Sequence, residues 1–394
     1  MNPRTLENTT KPRLLASLAL LGSLVTSAAQ DFTSGSNGSY GAINITANTT
    51  LPVPPDGIFH ATTINIAAGR TLNFTKNAAN TPVYLLATGN VTIAGAIDVS
   101  GTAGSDVTGG QSGPGGFNGG SPGSLSVPPG AGLGPGGGRG GAHSTTEPNT
   151  AGSGAFATVG INGPDANKGA AYGNALLIPM IGGSGGGGSI GTPGGGGGGG
   201  GGAILIASST RIDLTGDVRA YGGSHAPGVW NGGSGGAIRL VAPVVAGNGR
   251  LFAINVQGVN AAGVGRIRVD AVDRSQMNFQ FFQASATSVG SLMLVFPSPL
   301  PRLDIIEAAG TAIPAGSGPV TLNLPFGSSP NRSIRVQARD FNATVPVTLV
   351  LTPDHGGPLS YSGTINNAAA NPAAITFDVV LPVNEQVTVN VYSK

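Results

Sequence analysis

The chain has 394 residues, of which 9% are charged and 39% are apolar, and it contains no cysteine. Because a typical soluble domain carries about 25% charged residues, the composition predicts an unusually uncharged surface. The lack of cysteine excludes disulfides and thiolate zinc sites. The formal charge of +2 is not gathered into a basic cluster, which argues against nucleic acid as a partner.

The first 29 residues have the pattern of a secretory signal peptide. A basic segment ends at Arg13, an apolar stretch covers residues 14–24, and small residues up to Ala29 precede Gln30. The apolar stretch is shorter than the roughly 20 residues of a membrane span, so a cleaved leader is favoured. Removing it leaves 16 basic and 16 acidic residues, and we expect no membrane span after it.

Short apolar segments with one internal layout recur on both sides of a glycine-rich block. Residues 83–101, 203–222 and 237–254 each contain an apolar strand, a turn, a short alternating strand and a second turn. This repetition predicts a parallel β-helix, or β-solenoid, over residues 30–273. A β-sandwich or barrel is the alternative, but hairpin dipeptides do not separate the strands.

The glycine-rich block covers residues 102–202 and is predicted to be an insertion between coils of the β-helix. Between Gly101 and Gly202 the chain places 40 of its 69 glycines. Ordering a residue costs about 1 to 2 kcal/mol, and glycine has no side chain whose burial offsets that cost. Only backbone hydrogen bonds could order such a segment. We therefore expect long turns that pack on one flank, without helices.

The composition of the chain changes after Asp273. Residues 274–301 combine aromatic and aliphatic residues with three prolines, which indicates a cap on the β-helix and a stiff linker. Alternating strands return at residues 334–338, 345–351, 375–381 and 387–391. Residues 302–394 are therefore predicted to form a small antiparallel β-sandwich of the immunoglobulin-like kind.

Most sequence motifs that suggest a catalytic or binding site lack the structural context that such a site needs. G-x-S-x-G and G-x-G-x-x-G matches arise by chance in a glycine-rich chain, and no helix follows to complete either site. Residues 101–108 resemble one degraded copy of a calcium-binding repeat that needs consecutive copies. The histidines show no metal-ligand spacing: His60, His143, His225 and His355. We predict no catalytic, cofactor-binding or metal-ligating residue.

An enzyme remains the main alternative, because parallel β-helices host pectin-lyase-like chemistry on one strand face. The charged residues available for it are Asp98, Asp213, Asp217, Arg219, Arg239, Arg268 and Asp270. Aligning the copies places Asp98 beside Arg219, and Asp213 beside Thr92. Opposite charges would then be neighbours in adjacent coils, which an ion pair explains as well as catalysis does.

Four passages carry a resemblance to known proteins: NTPVYLLATGNVTIAGAIDVSG from Asn80, GGSGGGGS from Gly182, GGAILIASS from Gly201 and GSGGAIRLVAP from Gly233. The chain resembles a group of uncharacterised exported glycine-rich bacterial β-solenoid proteins, from about residue 57 to residue 270. More distantly it resembles the passenger domains of filamentous haemagglutinin and autotransporters. The resemblance implies export and a surface or extracellular role, and it implies no role for any individual residue.

The sequence therefore predicts a secreted, non-catalytic surface, matrix or adhesion protein, found outside the cell or on its surface. We expect an extended β-solenoid flank to contact a polysaccharide or another cell-surface polymer through many weak sites. Surface attachment is expected to depend on a partner. The alternative is a carbohydrate-active β-helix enzyme of the pectin-lyase-like type.

Overall fold

The computed structural model describes residues 32–144, 150–192, 194–225, 231–256, 262–282 and 286–393. The predicted leader, residues 1–29, lies outside these ranges. Strands, turns and extended segments make up the described chain, which contains no α-helix. Within the same ranges no helix is long and apolar enough to cross a membrane. The prediction of an all-β protein is confirmed.

Strands up to residue 290 pair in parallel. They are β1 Gly41–Ile45, β2 Thr49–Pro52, β3 Ile58–Ile66, β4 Thr71–Thr75, β5 Val83–Ala87, β6 Val91–Ile93, β7 Ala96–Asp98, β8 Gly141–Ser144, β9 Ser189–Thr192, β10 Ala203–Ser208, β11 Arg211–Leu214, β12 Asp217–Arg219, β13 Ala237–Ala246, β14 Arg250–Phe252, β15 Arg266–Asp273, β16 Gln280–Phe282 and β17 Thr287–Gly290.

The larger parallel sheet, sheet A, contains a closed ring of six strands. Its order is β10-β5-β3-β6-β11-β13-β15-β17, with β1 on the side of β3 and a further pairing of β10 with β13. The ring closes because two long strands each pair with two shorter ones. Strand β3 pairs with β5 and then β6, and β13 pairs with β10 and then β11. Mainly parallel pairing was predicted; the ring was not.

The second parallel sheet, sheet B, has the order β16-β14-β12-β7-β4-β2. Side chains of both sheets form one buried apolar cluster, in which Leu85 and Leu240 of sheet A join Ile97 and Val218 of sheet B. Burying each such side chain contributes about 1.5 to 3 kcal/mol. The main core therefore lies between sheets A and B.

The sequence alignment of the copies agrees with the observed register. Arg219 pairs with Asp98 in sheet B, and Asp213 pairs with Thr92 in sheet A. Both predicted pairings are confirmed, because the alternation of apolar residues fixes which side chain lies opposite which in parallel strands.

The glycine-rich block is ordered by backbone hydrogen bonds around residues 194–202, which we call the central glycine run. From Gly196 to Ala203, N–H groups that are three positions apart donate to the same neighbouring segment, at 2.7 to 3.1 Å. The acceptors are the carbonyls of Ser105, Thr102 and Val99 for Gly196, Gly199 and Gly202; of Gly120, Phe117 and Pro114 for Gly197, Gly200 and Ala203; and of Asn231 and Ser234 for Gly198 and Gly201. A repeat of three residues is that of a polyproline II helix.

Other segments fill the remaining sides of the central glycine run. A Cβ atom on Gly200 would overlap the carbonyl oxygen of Gly183, and one on Gly199 would overlap that of Gln111. Residues 195–202 are buried. Only glycine therefore fits along the run, as at the axis of the collagen triple helix.

The block differs from the expected long turns packed on one flank. Its extended segments, which we call the glycine lattice, bond to one another and also to strand ends of the parallel sheets, for example Gly202 N–H to Val99 O at 2.8 Å. The expectation of no helix in this block is confirmed for the described residues. Backbone hydrogen bonds, the one means of ordering it that the sequence left open, hold its segments in place. The expected form was wrong because glycine spacing carries no information about threefold packing.

The segment predicted to cap the β-helix continues both parallel sheets. Strand β16 pairs with β14, and β17 pairs with β15. Phe281 packs against the main core in register with Leu251. The chain then returns over the outer face of sheet A, where Val295 packs against Leu205 and Val241.

Residues after 301 form two antiparallel sheets. Their strands are β18 Arg302–Ala308, β19 Thr311–Ala312, β20 Asn331–Arg339, β21 Thr344–Pro353, β22 Leu359–Asn366, β23 Ala373–Val380 and β24 Val387–Ser393. The sheet orders are β19-β18-β20-β23 and β22-β21-β24. One apolar cluster joins Val336 of the first sheet to Leu349 of the second. The four strands that the sequence predicts here are present.

Candidate functional site

The outer face of sheet B brings together three of the seven predicted charged residues, Asp98, Asp217 and Arg219. Alternate residues point to opposite sides of a strand, and Leu72, Ile97, Val218 and Leu251 point into the main core. Their sequence neighbours lie in two rows of five on the other side. One row is Thr71, Ala96, Asp217, Arg250 and Gln280, and the other is Asn73, Asp98, Arg219, Phe252 and Phe282.

Asp217 is the centre of an ion-pair network on this face. Its carboxylate accepts hydrogen bonds from Arg250 Nε at 2.7 Å and Nη2 at 2.9 Å, and from Arg219 Nη2 at 2.6 Å. Burial by itself raises the pKa of the Asp217 carboxyl, but the hydrogen bonds and positive charges of the two arginines outweigh it. The pKa therefore lies below its usual range, and the group stays ionised at neutral pH.

Asp98 lies opposite Arg219 in the register but accepts a different hydrogen bond. Its Oδ1 accepts from the Ser100 N–H at 2.8 Å, while Arg219 turns toward Asp217 in its own strand. Asp98 and Asp217 occupy diagonal positions in adjacent strands, at about 7 to 8 Å between Cα atoms for such pairs. The predicted meeting of opposite charges is present in the register, and the ion pair forms with Asp217 instead.

Aromatic rings extend the second row of the face. The Phe252 and Phe282 rings stack with centroids 4.3 Å apart at an interplanar angle of 21°, and Tyr221 lies 5.2 Å from Phe252. The guanidinium of Arg250 lies 5.6 Å from the Phe252 centroid. Sequence reasoning did not assign these rings to a site, although aligning the copies already places Phe252 beside Arg219.

The other predicted charged residues lie away from this face. Arg211 Nε donates to Asp213 at 2.8 Å on sheet A. Arg239 and Asp270 are fully buried and 3.1 Å apart, beneath residues 292–294, and Arg268 donates to the same carboxylate at 2.6 Å. Six of the seven predicted residues are therefore divided among three separate ion-pair clusters, and Asp98 accepts a backbone N–H instead.

Two serines of the rejected G-x-S-x-G motifs, Ser184 and Ser234, are fully buried. The Ser184 hydroxyl donates to the Tyr172 hydroxyl at 2.9 Å, and the Ser234 hydroxyl donates to Ala155 O at 3.0 Å. These hydroxyls satisfy buried polar groups. Across the described ranges, no three His, Cys, Asp or Glu residues are grouped so that they could hold a metal ion.

Comparison of the whole chain with known proteins adds no family assignment. No protein-family model, no curated protein and no solved structure matches it. Any functional conclusion therefore rests on the geometry of the chain's own residues.

Proposed function

We propose that the chain is an exported, non-catalytic surface, matrix or adhesion protein that contacts a polysaccharide or similar polymer along the outer face of sheet B. The observation that supports this most is the continuity of that face over five strands, with an arginine, an amide and an aromatic group exposed on it, Arg250, Gln280 and Phe282. Repeated weak contacts along a polymer add up to useful avidity without a deep pocket.

We also propose that the two parallel sheets are faces of one β-solenoid. Strands β5 and β6 are separated by three residues, and β10 and β11 by two. Beside these gaps, strands β3 and β13 continue without a break. Strands β5 and β6 would then be one solenoid strand with a break in it, and so would β10 and β11. The six-strand ring would surround only these breaks. Sheet A directs its apolar residues toward sheet B, as stacked coils require.

The pairing of Asp217 favours a scaffold over a glycosidase. A glycosidase needs a carboxylic acid whose raised pKa lets it protonate the leaving group, beside a second carboxylate. Asp217 has a lowered pKa and is held by two guanidinium groups. Asp98, its neighbour on the face, accepts a backbone N–H. This arrangement orients charges and does not supply a proton.

A combined binding and degradation screen tests the proposal. Residues 30–394 would be applied to a glycan array and incubated with the polysaccharides that bind. We expect binding without release of sugar ends. Replacing Arg250 and Phe282 together by alanine should weaken binding about fivefold to tenfold, which corresponds to about 1 to 1.4 kcal/mol. Arg335→Ala, an exposed arginine of β20, is the matched control.

Two results would contradict the proposal: release of sugar products, or polymer binding that the Arg250 and Phe282 substitutions leave unchanged. Deleting residues 102–202 is not a clean test of adhesion. The central glycine run bonds to Val99 and Ser234 at the edges of the parallel sheets, so the deletion would remove part of the folded structure.

A further inference from the structure

A cavity of about 290 Å³ lies between the glycine lattice and the antiparallel sheets. One wall consists of lattice residues from 107 to 133, and the other of the end of β21 and the start of β24. The volume is at the lower end of the roughly 300 to 1,000 Å³ that small-molecule sites occupy. It lies apart from sheet B, because no residue of the outer face lines it.

Several direct contacts hold the two walls together. Gly356 N–H donates to Pro129 O at 3.2 Å, and the His355 Nδ1 atom lies 3.2 Å from Pro128 O. The Phe117 and Tyr392 rings meet edge to face with centroids 6.0 Å apart. The cavity is therefore bounded by ordered segments.

The cavity wall is polar and almost without charge. Its polar side chains are Thr108, Gln111, Asn118, Ser121, Thr352, Asp354, Gln386 and Thr388, and its apolar ones include Val107, Ala131 and Leu133. Asp354 is the one charged residue in that lining. Amides and hydroxyls both donate and accept hydrogen bonds, which suits a ligand with many hydroxyl groups.

The hydrogen bonds of Asn118 show which of its side-chain atoms is available to a ligand. Its Oδ1 accepts from Ser112 N–H at 2.9 Å and from Lys76 Nζ at 3.3 Å. Because the oxygen is engaged, the Nδ2 group is the donor available to a ligand. The side-chain amides of Gln111 and Gln386 have no hydrogen-bond partner among the described residues and are exposed.

We infer that this junction cavity binds a neutral saccharide unit, with the amides of Gln111, Asn118 and Gln386 contacting its hydroxyls. The small apolar patch of Ala131 and Leu133 suits the C–H face of a sugar ring. A single carboxylate, Asp354, disfavours acidic sugars by charge repulsion. The inference does not rest on the proposed polymer contact, because the two sites share no residue.

Saturation-transfer NMR with residues 30–394 tests the inference. The probes are glucose, galactose, N-acetylglucosamine and their neutral disaccharides, with glucuronic acid for comparison. We expect at least one neutral sugar to bind, and glucuronic acid to bind more weakly than glucose. Gln111→Ala combined with Gln386→Ala should weaken that binding at least tenfold. Both residues are exposed, so the fold should persist.

Gln276→Ala is the matched control, because Gln276 is an exposed glutamine that lies neither in the cavity lining nor in the rows of the outer face of sheet B, and it should leave sugar binding unchanged. The inference is overturned if no neutral sugar in the panel binds, or if binding survives the double substitution. Loss of sugar binding in the Arg250 and Phe282 variant, with the glutamine variant unaffected, would assign the sugar to the outer face and also overturn it.

Discussion

The glycine lattice is ordered by backbone hydrogen bonds, whereas the antiparallel sheets are also held together by side-chain packing. In the lattice, residues 195–202 are buried without side chains, and their N–H groups bond to segments in three directions. In the antiparallel sheets, Leu349, Val336 and Phe377 pack into an apolar cluster. Close backbone approach can therefore replace side-chain packing when every buried amide finds a hydrogen-bond partner.

The two regions should respond differently to one added methyl group. Gly200→Ala would place a Cβ against the carbonyl oxygen of Gly183. Overpacking typically costs about 1 to 3 kcal/mol, and we expect a loss near the upper end because the overlapping atom belongs to the backbone. Chemical denaturation of residues 30–394 measures the loss of unfolding free energy. This is the largest effect we expect from adding a single methyl group.

Gly357→Ala is the control for that change, because a Cβ at Gly357 meets nothing within 4 Å. Its stability should change by less than about 0.5 kcal/mol. Equal stability of the Gly200 and Gly357 variants would show that the lattice tolerates side chains, and the comparison would fail.

The antiparallel sheets should instead lose stability when a side chain is shortened. Leu349 is fully buried, so Leu349→Ala should cost about 2 to 5 kcal/mol. Hydrogen exchange should show the loss in β20 to β24, while amides of the central glycine run keep their protection. Val380→Ala, at a position that is 53% exposed, is the control. Loss of protection in the run as well would mean that both regions unfold as one unit.

The smallest effect concerns the ion pairs of sheet B. The folded pKa of Asp217 lies below its ordinary value, so its contribution to stability is present above the unfolded pKa of about 3.9 and is lost as the pH falls through the folded pKa. Asp217→Asn should cost about 1 kcal/mol at pH 7.

Urea denaturation between pH 7 and pH 2 checks that dependence. The variant and the unsubstituted protein should converge at the acid end, because protonation removes the same charge. Asp378→Asn, at an exposed carboxylate of β23, should follow the unsubstituted protein throughout. A constant difference between the Asp217 variant and the unsubstituted protein across the range would rule out the ionic explanation.

Alternating apolar residues were sufficient to predict the parallel strands and part of their register. Ile204 and Ile206 point into the main core, as Val83 and Leu85 do, and these strands pair as aligned. The same alignment placed Asp98 beside Arg219. Side-chain period is a local property, so it could be read from one sequence.

Long-range backbone contacts could not be predicted in that way. Gly198 donates to Asn231 across the lattice, and no side-chain pattern encodes that partner. Arg239 appeared in the sequence as a candidate for surface chemistry, yet it is fully buried and donates to Leu294 O at 2.7 Å. Its burial depends on a segment 55 residues later that folds back over sheet A.

The threefold repeat of the central glycine run limits how its length can vary. From Gly196 to Ala203, each N–H group faces the same neighbouring segment as the N–H three positions away, for example Gly197 and Gly200 toward Gly120 and Phe117. Inserting or deleting one glycine would turn every later amide toward a different neighbour. Gains or losses of three residues would keep those directions, so we expect natural length variants of this run to differ in steps of three.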